Sequence, residues 1–400
     1  MNFLRLSCAR LALVGFLIAA LDLGAVESPV FPVMPWNSPP MDPAVLKKIH
    51  DCGFTLAGFV PPAGLDLCQQ AGLLAIVSDP RTAGYDWGSV DAEKARTNVA
   101  SLIKEVGTHP AVFGYNLRDE PPTAWFPHLE KVASVVRDLA PGKWPYINLL
   151  PDYAENWQLG ASNYTEYLEK FIADCHPQII SYDNYSLMDN NTIRDNYWSN
   201  LEAVRSACLG HKIQFWNIVL SVAHFSYREL SAADLRFEAY TSLAYGARGL
   251  SFFTYFAPPV GGYRGAPIDQ FGNETPTWHN LQNVNLQVQK LGPTMLQLTS
   301  DYVYHIGALP TGTKAPPTNS LVSGVSGDNF LVGEFTHTDG SRFVMIVNKD
   351  LAKSRPCAPQ FRKAPKKLRH VSPYSGEIYP FEGEYVWLAP GQGVLLKPEW

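Results

Sequence analysis

Two adjacent carboxylates, Asp119 and Glu120, close the stretch His109-Pro-Ala-Val-Phe-Gly-Tyr-Asn-Leu-Arg-Asp-Glu-Pro-Pro122. The apolar run 111–115 reads as a buried strand, and Pro121 and Pro122 cannot continue a central strand because proline lacks the ladder N–H. The carboxylates therefore fall at the strand's C-terminal end, the edge where parallel α/β proteins collect catalytic groups. A pair of carboxyl groups there suits acid–base work, and cleavage of glycosidic bonds is the reaction most often built on such a pair. An isolated Asp-Glu-Pro is commonly no more than a solvated loop start, so the reading depends on the elements around it.

Those elements alternate. Strand patterns at 31–36, 55–60, 74–78, 111–117, 144–150, 178–182, 212–220 and 249–255 are each followed by a helical pattern. The helices are expected at 43–52, 64–71, 91–106, 125–139, 164–174, 192–209, 232–246 and 276–298. Eight βα units in succession are what a (β/α)8 barrel requires. The strands are apolar, as suits a sheet covered on both faces. Gly53, Gly72, Gly246 and Gly249 stand just past helix ends, where C-caps favour glycine. Beyond residue 298 short strands take over, at 331–335, 343–348, 385–388 and 393–396, with turn signals at Thr338-Asp-Gly340 and Tyr374-Ser-Gly376. The expected fold is α/β: a (β/α)8 TIM barrel over 26–298 followed by a C-terminal all-β sandwich domain over 299–400. The Pro/Gly/Thr-rich stretch 309–319 is a surface loop near the boundary.

Counting strands turns sequence position into place. Strand ends carry Trp36 and Asn37, Asp79, Arg118 with Asp119 and Glu120, Asn148 with Asp152, Asp183 with Asn184 and Tyr185, Trp216 and Asn217 with His224 beyond, and Thr254, Tyr255 and Phe256. Polar and aromatic residues thus recur at one edge of an otherwise apolar sheet. Asp119 and Glu120 are the catalytic candidates. Trp36, Asn148, Asp183, Tyr185, Trp216, Asn217, His224 and Tyr255 are the substrate-binding candidates. A general acid needs a raised pKa, and an adjacent anion with partial burial moves Glu120 that way. Regular alternation would put Arg118 and Glu120 on one side of the strand and Asp119 on the other. Both carboxylates reach one site only if the strand end is irregular.

The segment Gly114-Tyr-Asn-Leu-Arg-Asp-Glu-Pro121 resembles the superfamily of barrel glycoside hydrolases with an acid/base Glu at the end of strand four. The segments Ala244-Tyr-Gly-Ala-Arg-Gly-Leu-Ser-Phe-Phe-Thr-Tyr255 and Asn273-Glu-Thr-Pro-Thr-Trp278 are similar to theirs too. The resemblance implies that Glu120 is the general acid/base. Retaining members carry a nucleophilic Glu at the end of strand seven, where this chain reads Gln214-Phe-Trp-Asn-Ile-Val-Leu-Ser221 and has no carboxylate. Two repairs are open. In the first, the substrate's 2-acetamido oxygen is the nucleophile, and the Asp119-Glu120 pair resembles the Asp-Glu pair of glycoside hydrolase families 20 and 123. Tyr185 or Tyr255 would then hold the acetamido carbonyl. In the second, Asp183 partners Glu120 across the pocket, at about 5–5.5 Å for retention or about 6.5–9.5 Å for inversion. The expected function is a secreted, exo-acting, retaining hydrolase of β-linked N-acetylhexosaminides. The alternatives are a β-galactosidase-like hydrolase of neutral sugars using Glu120 and Asp183, and a non-catalytic carbohydrate-binding barrel.

Composition narrows the partners. Net charge is −5 with both signs interspersed, and no basic nucleic-acid footprint is present. Ten Trp and nineteen Tyr supply core and candidate sugar platforms alike. Arg5, Arg10 and the apolar run 11–20 read as a signal peptide ending near Ala25 (residues 1–25), which predicts export to the periplasm or beyond. No later stretch is apolar enough to span a membrane, so no membrane association is expected after signal cleavage; the oligomeric state is left open. No cysteine or histidine cluster has metal-ligand spacing, and neither metal nor cofactor is expected. In an exported chain Cys52–Cys68 and Cys175–Cys208, on consecutive helices, are candidate disulfides, with Cys357 free.

Overall fold

The computed structural model describes residues 30–36 and 38–400. The signal-peptide reading and Asn37 fall outside those residues. Eight parallel strands form the barrel: β1 (Val33–Pro35), β2 (Leu56–Val60), β3 (Leu74–Val77), β4 (Val112–Asp119), β5 (Trp144–Leu149), β6 (Ile179–Asp183), β7 (Gln214–Leu220) and β8 (Leu250–Phe253). Ladders run in sequence from β2 to β8, and β8 pairs with β1. The seam between β1 and β2 is closed by one residue. The Thr55 N–H donates to the Val33 carbonyl at 3.0 Å, while its hydroxyl accepts from the Val33 N–H at 2.8 Å and donates to the Phe31 carbonyl at 3.0 Å. A side chain there does the work of a ladder, leaving few backbone groups unpaired.

Helices form the outer layer, and their starts are written in the sequence. Asp42, Asp91, Asn163 and Ser231 each accept from backbone N–H groups in the first turn of Pro43–Asp51, Ala92–Val106, Tyr164–Cys175 and Ala232–Tyr245. Each cap satisfies donors that the helix itself cannot. The expected helix 192–209 begins only at Tyr197. Asn190 Oδ1 accepts from the Thr192 N–H at 3.0 Å, so its side chain competes for the backbone and holds 190–192 in a turn. The loop after β6 is therefore longer than periodicity implied, and it walls one side of the mouth.

The C-terminal region is all-β. Six antiparallel strands lie in the order Ile378–Pro380, Lys367–Val371, Gly393–Glu399, Arg342–Asn348, Phe330–His337, Leu298–Ile306. Two short pairs, Val322–Val325 with Pro359–Phe361 and Arg355–Cys357 with Val386–Leu388, stand beside them. The last barrel helix ends at Met295, not at 298, and Leu298–Ile306 is a strand that the sequence pattern missed. Its partner, Phe330–His337, is remote in sequence, so nothing local announces it. One face of the sheet, with Leu331, Phe335, Met345 and Leu395, joins the barrel's own core. The other, with Tyr304, Phe330, Val332, Ile346 and Leu396, builds a second core. Close approach to the helix Ala232–Tyr245 needs a glycine: a Cβ on Gly333 would lie 2.2 Å from the Ala244 carbonyl oxygen. Wedged between strands and sheet, that helix is buried almost all round.

The disulfide expectation is not met. Cys52, Cys68, Cys175, Cys208 and Cys357 are all buried free thiols. Cys52 donates to the Trp278 carbonyl (3.6 Å), Cys175 to that of Phe126 (3.4 Å) and Cys208 to that of Gln214 (3.4 Å), so the thiols turn to different neighbours. Burial pushes the Cys68 thiol up to about 11, which suppresses the reactive thiolate. Alkylation after denaturation without reductant is expected to label all five positions in a peptide map. Recovery of a Cys52–Cys68 or Cys175–Cys208 linked peptide would contradict it.

Candidate active site

The inward faces of β5 and β6 build the floor of the site. Tyr146 and Asn148 are two apart on β5, Ser181 and Asp183 two apart on β6, and such pairs share a face. Each residue bonds its neighbour across the ladder. The Tyr146 hydroxyl lies 2.8 Å from Ser181 Oγ, and Ser181 Oγ donates to Asn148 Oδ1 at 3.1 Å. That bond fixes the amide, so Asn148 Nδ2 points at the carboxylates. It donates to Asp119 Oδ1 at 3.0 Å and to Asp183 Oδ1 at 3.1 Å.

β4 delivers the other two acids through an irregular end. Its register against β5 slips between Asn116 and Arg118, a bulge that leaves Leu117 without a partner. Glu120 follows in the left-handed region at φ 46°, with its N–H held by the Asn148 carbonyl at 2.8 Å. The slip and the left-handed turn undo the alternation expected of a regular strand. Asp119 reaches Asn148, and the Glu120 carboxyl is hydrogen-bonded to Asp183. The Arg118 guanidinium lies over the Trp125 ring, 4.9 Å from its centroid, and forms no ion pair with these acids.

Two carboxyl groups thus share one amide, and the third, Glu120, is anchored by its backbone to the same residue. Asp119 and Glu120 are exposed to solvent at the mouth, whereas Asp183 is only 3% exposed. Burial raises the Asp119 pKa, against a hydrogen bond from Asn148 and the Arg118 charge. Burial and then repulsion from Asp119 raise that of Glu120, against its bond to Asp183. Asp183 is raised furthest, by burial first and then by the charges of Glu120 and Asp119. Among the described residues no grouping of His, Cys, Asp and Glu has the geometry to hold a metal ion.

Aromatic residues flank the acids. Burial, and then the nearby Asp183 charge, opposes ionisation of the Tyr185 and Tyr153 phenols, and the Tyr153 hydroxyl accepts from the Tyr185 N–H at 3.2 Å. Tyr185 packs against Phe253, Tyr227 and His224, with ring centroids 5.5, 5.9 and 6.1 Å apart. Arg194 lies over the Tyr153 ring at 4.2 Å and donates to the Tyr185 carbonyl at 3.2 Å and the Tyr227 hydroxyl at 2.9 Å, pinning this wall. His224 is buried and stacks on Tyr263, and burial lowers its pKa, so it stands as a neutral ring in the wall. Trp36, half-buried, meets Phe59 edge-on at 4.6 Å and lies 5.9 Å from Tyr146.

Three expected substrate contacts face elsewhere. Trp216 has no exposed surface and fills the barrel interior against Phe113, Trp144 and Tyr146. Asn217, its neighbour, points the opposite way and donates to Ser242 Oγ in the helix layer at 2.9 Å. The Tyr255 hydroxyl accepts from Trp278 Nε1 at 2.9 Å, and Tyr255 borders a separate 720 Å³ cleft with Val45, Lys48 and Ile268. Tyr153, Ser181 and Tyr146 were missed. Two-residue spacing from Asn148 and Asp183 was the available signal for Tyr146 and Ser181; Tyr153 needed the position of a loop. Past β7 come Ser221 and Val222, both buried, and no carboxylate enters the mouth from that strand. Glu238, which touches β7, does so from the helix layer, its Oε1 accepting from the Leu220 N–H at 3.4 Å.

No known family model matches this chain, and no curated protein matches it in sequence. In fold it is similar to a solved glycoside hydrolase, with a TM-score of 0.57 at 12% identity over 93% of each chain. It is similar also to a family 5 glycoside hydrolase from Bacteroides vulgatus ATCC 8482, with a TM-score of 0.56 at 12% identity over 92% of this chain and 89% of that one. A β-galactosidase from the psychrophilic Marinomonas ef1 aligns with 65% of this chain at 10% identity and a TM-score of 0.49, and the chain spans 60% of that enzyme's length. At such identities the likeness is one of fold: these neighbours are barrel glycoside hydrolases.

The raised carboxyl pKa values carry a stability consequence. Unfolded carboxyl groups titrate near pH ~4, so the folded site binds more protons than the unfolded chain above that pH. The contribution of the cluster is full below pH ~4 and is lost as pH rises through the folded values. Asp119→Asn keeps an acceptor for Asn148 and removes one charge. Its thermal midpoint is expected to exceed that of the wild type at pH 8, with the difference closing near pH 4. A variant less stable than wild type at pH 8 would show that repulsion does not govern the cluster.

Proposed function

We propose that this chain is an exo-acting glycoside hydrolase that cleaves β-linked N-acetylhexosaminides with retention, the substrate's 2-acetamido oxygen acting as nucleophile. The observation that carries the reading is the convergence of Asp119 and Glu120 on Asn148, beside a β7 end without a carboxylate. Glu120 protonates the leaving oxygen as its bond to C1 breaks. The acetamido oxygen attacks C1 from the opposite face and forms a cyclic oxazolinium. Asp119 accepts the acetamido N–H and balances the positive charge, an interaction that matures in the transition state. The Glu120 carboxylate then takes a proton from the water that opens the ring. The Tyr185 phenol, beside the acids, is the candidate partner of the acetamido carbonyl. The leader-like segment 1–25 would place the reaction outside the cytoplasm.

A neutral-sugar mechanism through Asp183 fits less well. Retention needs the two carboxyls about 5–5.5 Å apart and inversion about 6.5–9.5 Å, to admit the anomeric carbon or a water. Asp183 interacts with Glu120 directly and is itself 3% exposed, so it is poorly placed to meet an anomeric carbon or a water.

Aryl 2-acetamido-2-deoxy-β-glycosides are expected to be hydrolysed far faster than their 2-hydroxyl counterparts. Glu120→Gln should cost about 10²–10⁴-fold on substrates with poor leaving groups. Asp119→Asn should lower turnover with little change in ground-state affinity, and a thiazoline analogue of the cyclised sugar should inhibit wild type well and this variant poorly. Equal rates on the two substrate classes would exclude the acetamido nucleophile. Hydrolysis of neither, with sugar binding retained, would leave a carbohydrate-binding barrel.

A further inference from the structure

We propose that Asp183 is a positioning residue that shares a single proton with Glu120, holding it at rest and returning it to Glu120 for each round of acid catalysis. The case begins with geometry. Asp183 is 3% exposed and has one fixed protein donor, Asn148 Nδ2 at 3.1 Å. A buried carboxylate needs several donors or a counter-charge, and one amide N–H is too little. The charged and titratable groups that interact with Asp183 electrostatically supply no cation: they are Asp119 and Glu120 from β4, Tyr146 from β5, Tyr153 beyond it, Tyr164 and Tyr167 from the helix Tyr164–Cys175, and Tyr185, and none of these phenols is hydrogen-bonded to it. As a neutral acid, Asp183 accepts from Asn148 on one oxygen and donates its O–H to Glu120.

The orientation of the network agrees. The Ser181 hydroxyl is a donor to Asn148 Oδ1, so its oxygen is left to accept from the Tyr146 hydroxyl, and both amide hydrogens of Asn148 face acids. Two carboxyls in contact lose their second proton only at a high macroscopic pKa, because both anions would be forced together. The upward shifts of both groups point the same way.

In the reaction the proton crosses from Asp183 to Glu120. The more exposed Glu120 carboxyl then turns and presents it to the leaving oxygen, while Asp183 stays as the anion. That second anion appears as the cationic oxazolinium forms, which offsets its cost. The water that opens the ring gives its proton to Glu120, and the pair returns to one proton. The acid role rests on the glycosidase reading of Glu120; the shared proton does not.

Two measurements keep these apart. The infrared difference between wild type and Asp183→Asn at pH 7 is expected to show a protonated carboxyl band lost in the variant, with the bands of other acids whose neutral form the protein favours, Asp152 and Glu238, cancelling. Absence of that difference band means an ionised Asp183 and overturns the inference, whatever the enzyme hydrolyses. If the wild type cleaves no glycoside, the functional reading falls and the infrared result still decides the proton. The second measurement is the pH profile of kcat/KM. Asp183→Asn should shift the basic limb down by at least ~1 unit, so that the loss of activity is at least ~10-fold larger at pH 8 than at pH 5. Substrates with activated leaving groups, which need little protonation, should lose less than those with poor leaving groups. An unmoved profile overturns the inference. Equal loss at every pH on activated substrates, with rescue by azide, makes Asp183 a nucleophile and overturns it too. Asp183→Ser serves in the same measurements if the Asn variant does not fold.

Discussion

The amide of Asn148 is the contact on which the mouth of this barrel depends. It joins a carboxylate from β4 to one from β6 and, through its backbone carbonyl, holds the N–H of Glu120. Three acids could not stand so close without donors between them, since each buried anion costs several kcal/mol unless paired. The amide has a defined direction because Ser181 and Tyr146 occupy the rung below and leave its oxygen one role. That rung stands in turn on the aromatic interior of the barrel, where Tyr146 meets Trp216 at 5.9 Å. Packing deep in the barrel is thereby connected to the orientation of groups that a ligand would meet.

The scaffold around this contact is stiff. The helix Ala232–Tyr245 is clasped between β7 and the C-terminal sheet, and the sheet and barrel share one apolar core. Glycine at position 333 permits an approach that no side chain would allow. A rigid frame suits a site that works against its own charges, because preorganised groups pay little to reorganise during reaction. The loop after β6 is fastened by Arg194 to Tyr153, Tyr185 and Tyr227, so the aromatic wall is tied to the same frame.

Much of this could be read from the chain. Eight alternating patterns announce the barrel because helical and strand periodicities are local properties of a few residues. Capping aspartates and the proline stop after Glu120 are equally local, and they placed Asp119, Glu120, Asn148 and Asp183 at one end of the sheet. The C-terminal sheet was legible only in part: the strand Leu298–Ile306 makes sense beside Phe330–His337 and not alone.

What tertiary structure decided was direction. Trp216 and Asn217 lie in the first half and middle of β7 and Tyr255 just past β8; one fills the barrel, one faces the helices and one meets Trp278. Strand position is written in sequence; which way a side chain turns depends on neighbours brought in from elsewhere. The same holds for the acids. Alternation would have separated Asp119 from Glu120, and a one-residue bulge against β5 followed by a left-handed turn brought both to Asn148. A bulge arises from pairing between strands, so residue types alone determined that carboxylates would gather at this edge, and only the fold determined that Asp119 and Asp183 would share the Asn148 amide while its backbone carbonyl holds Glu120.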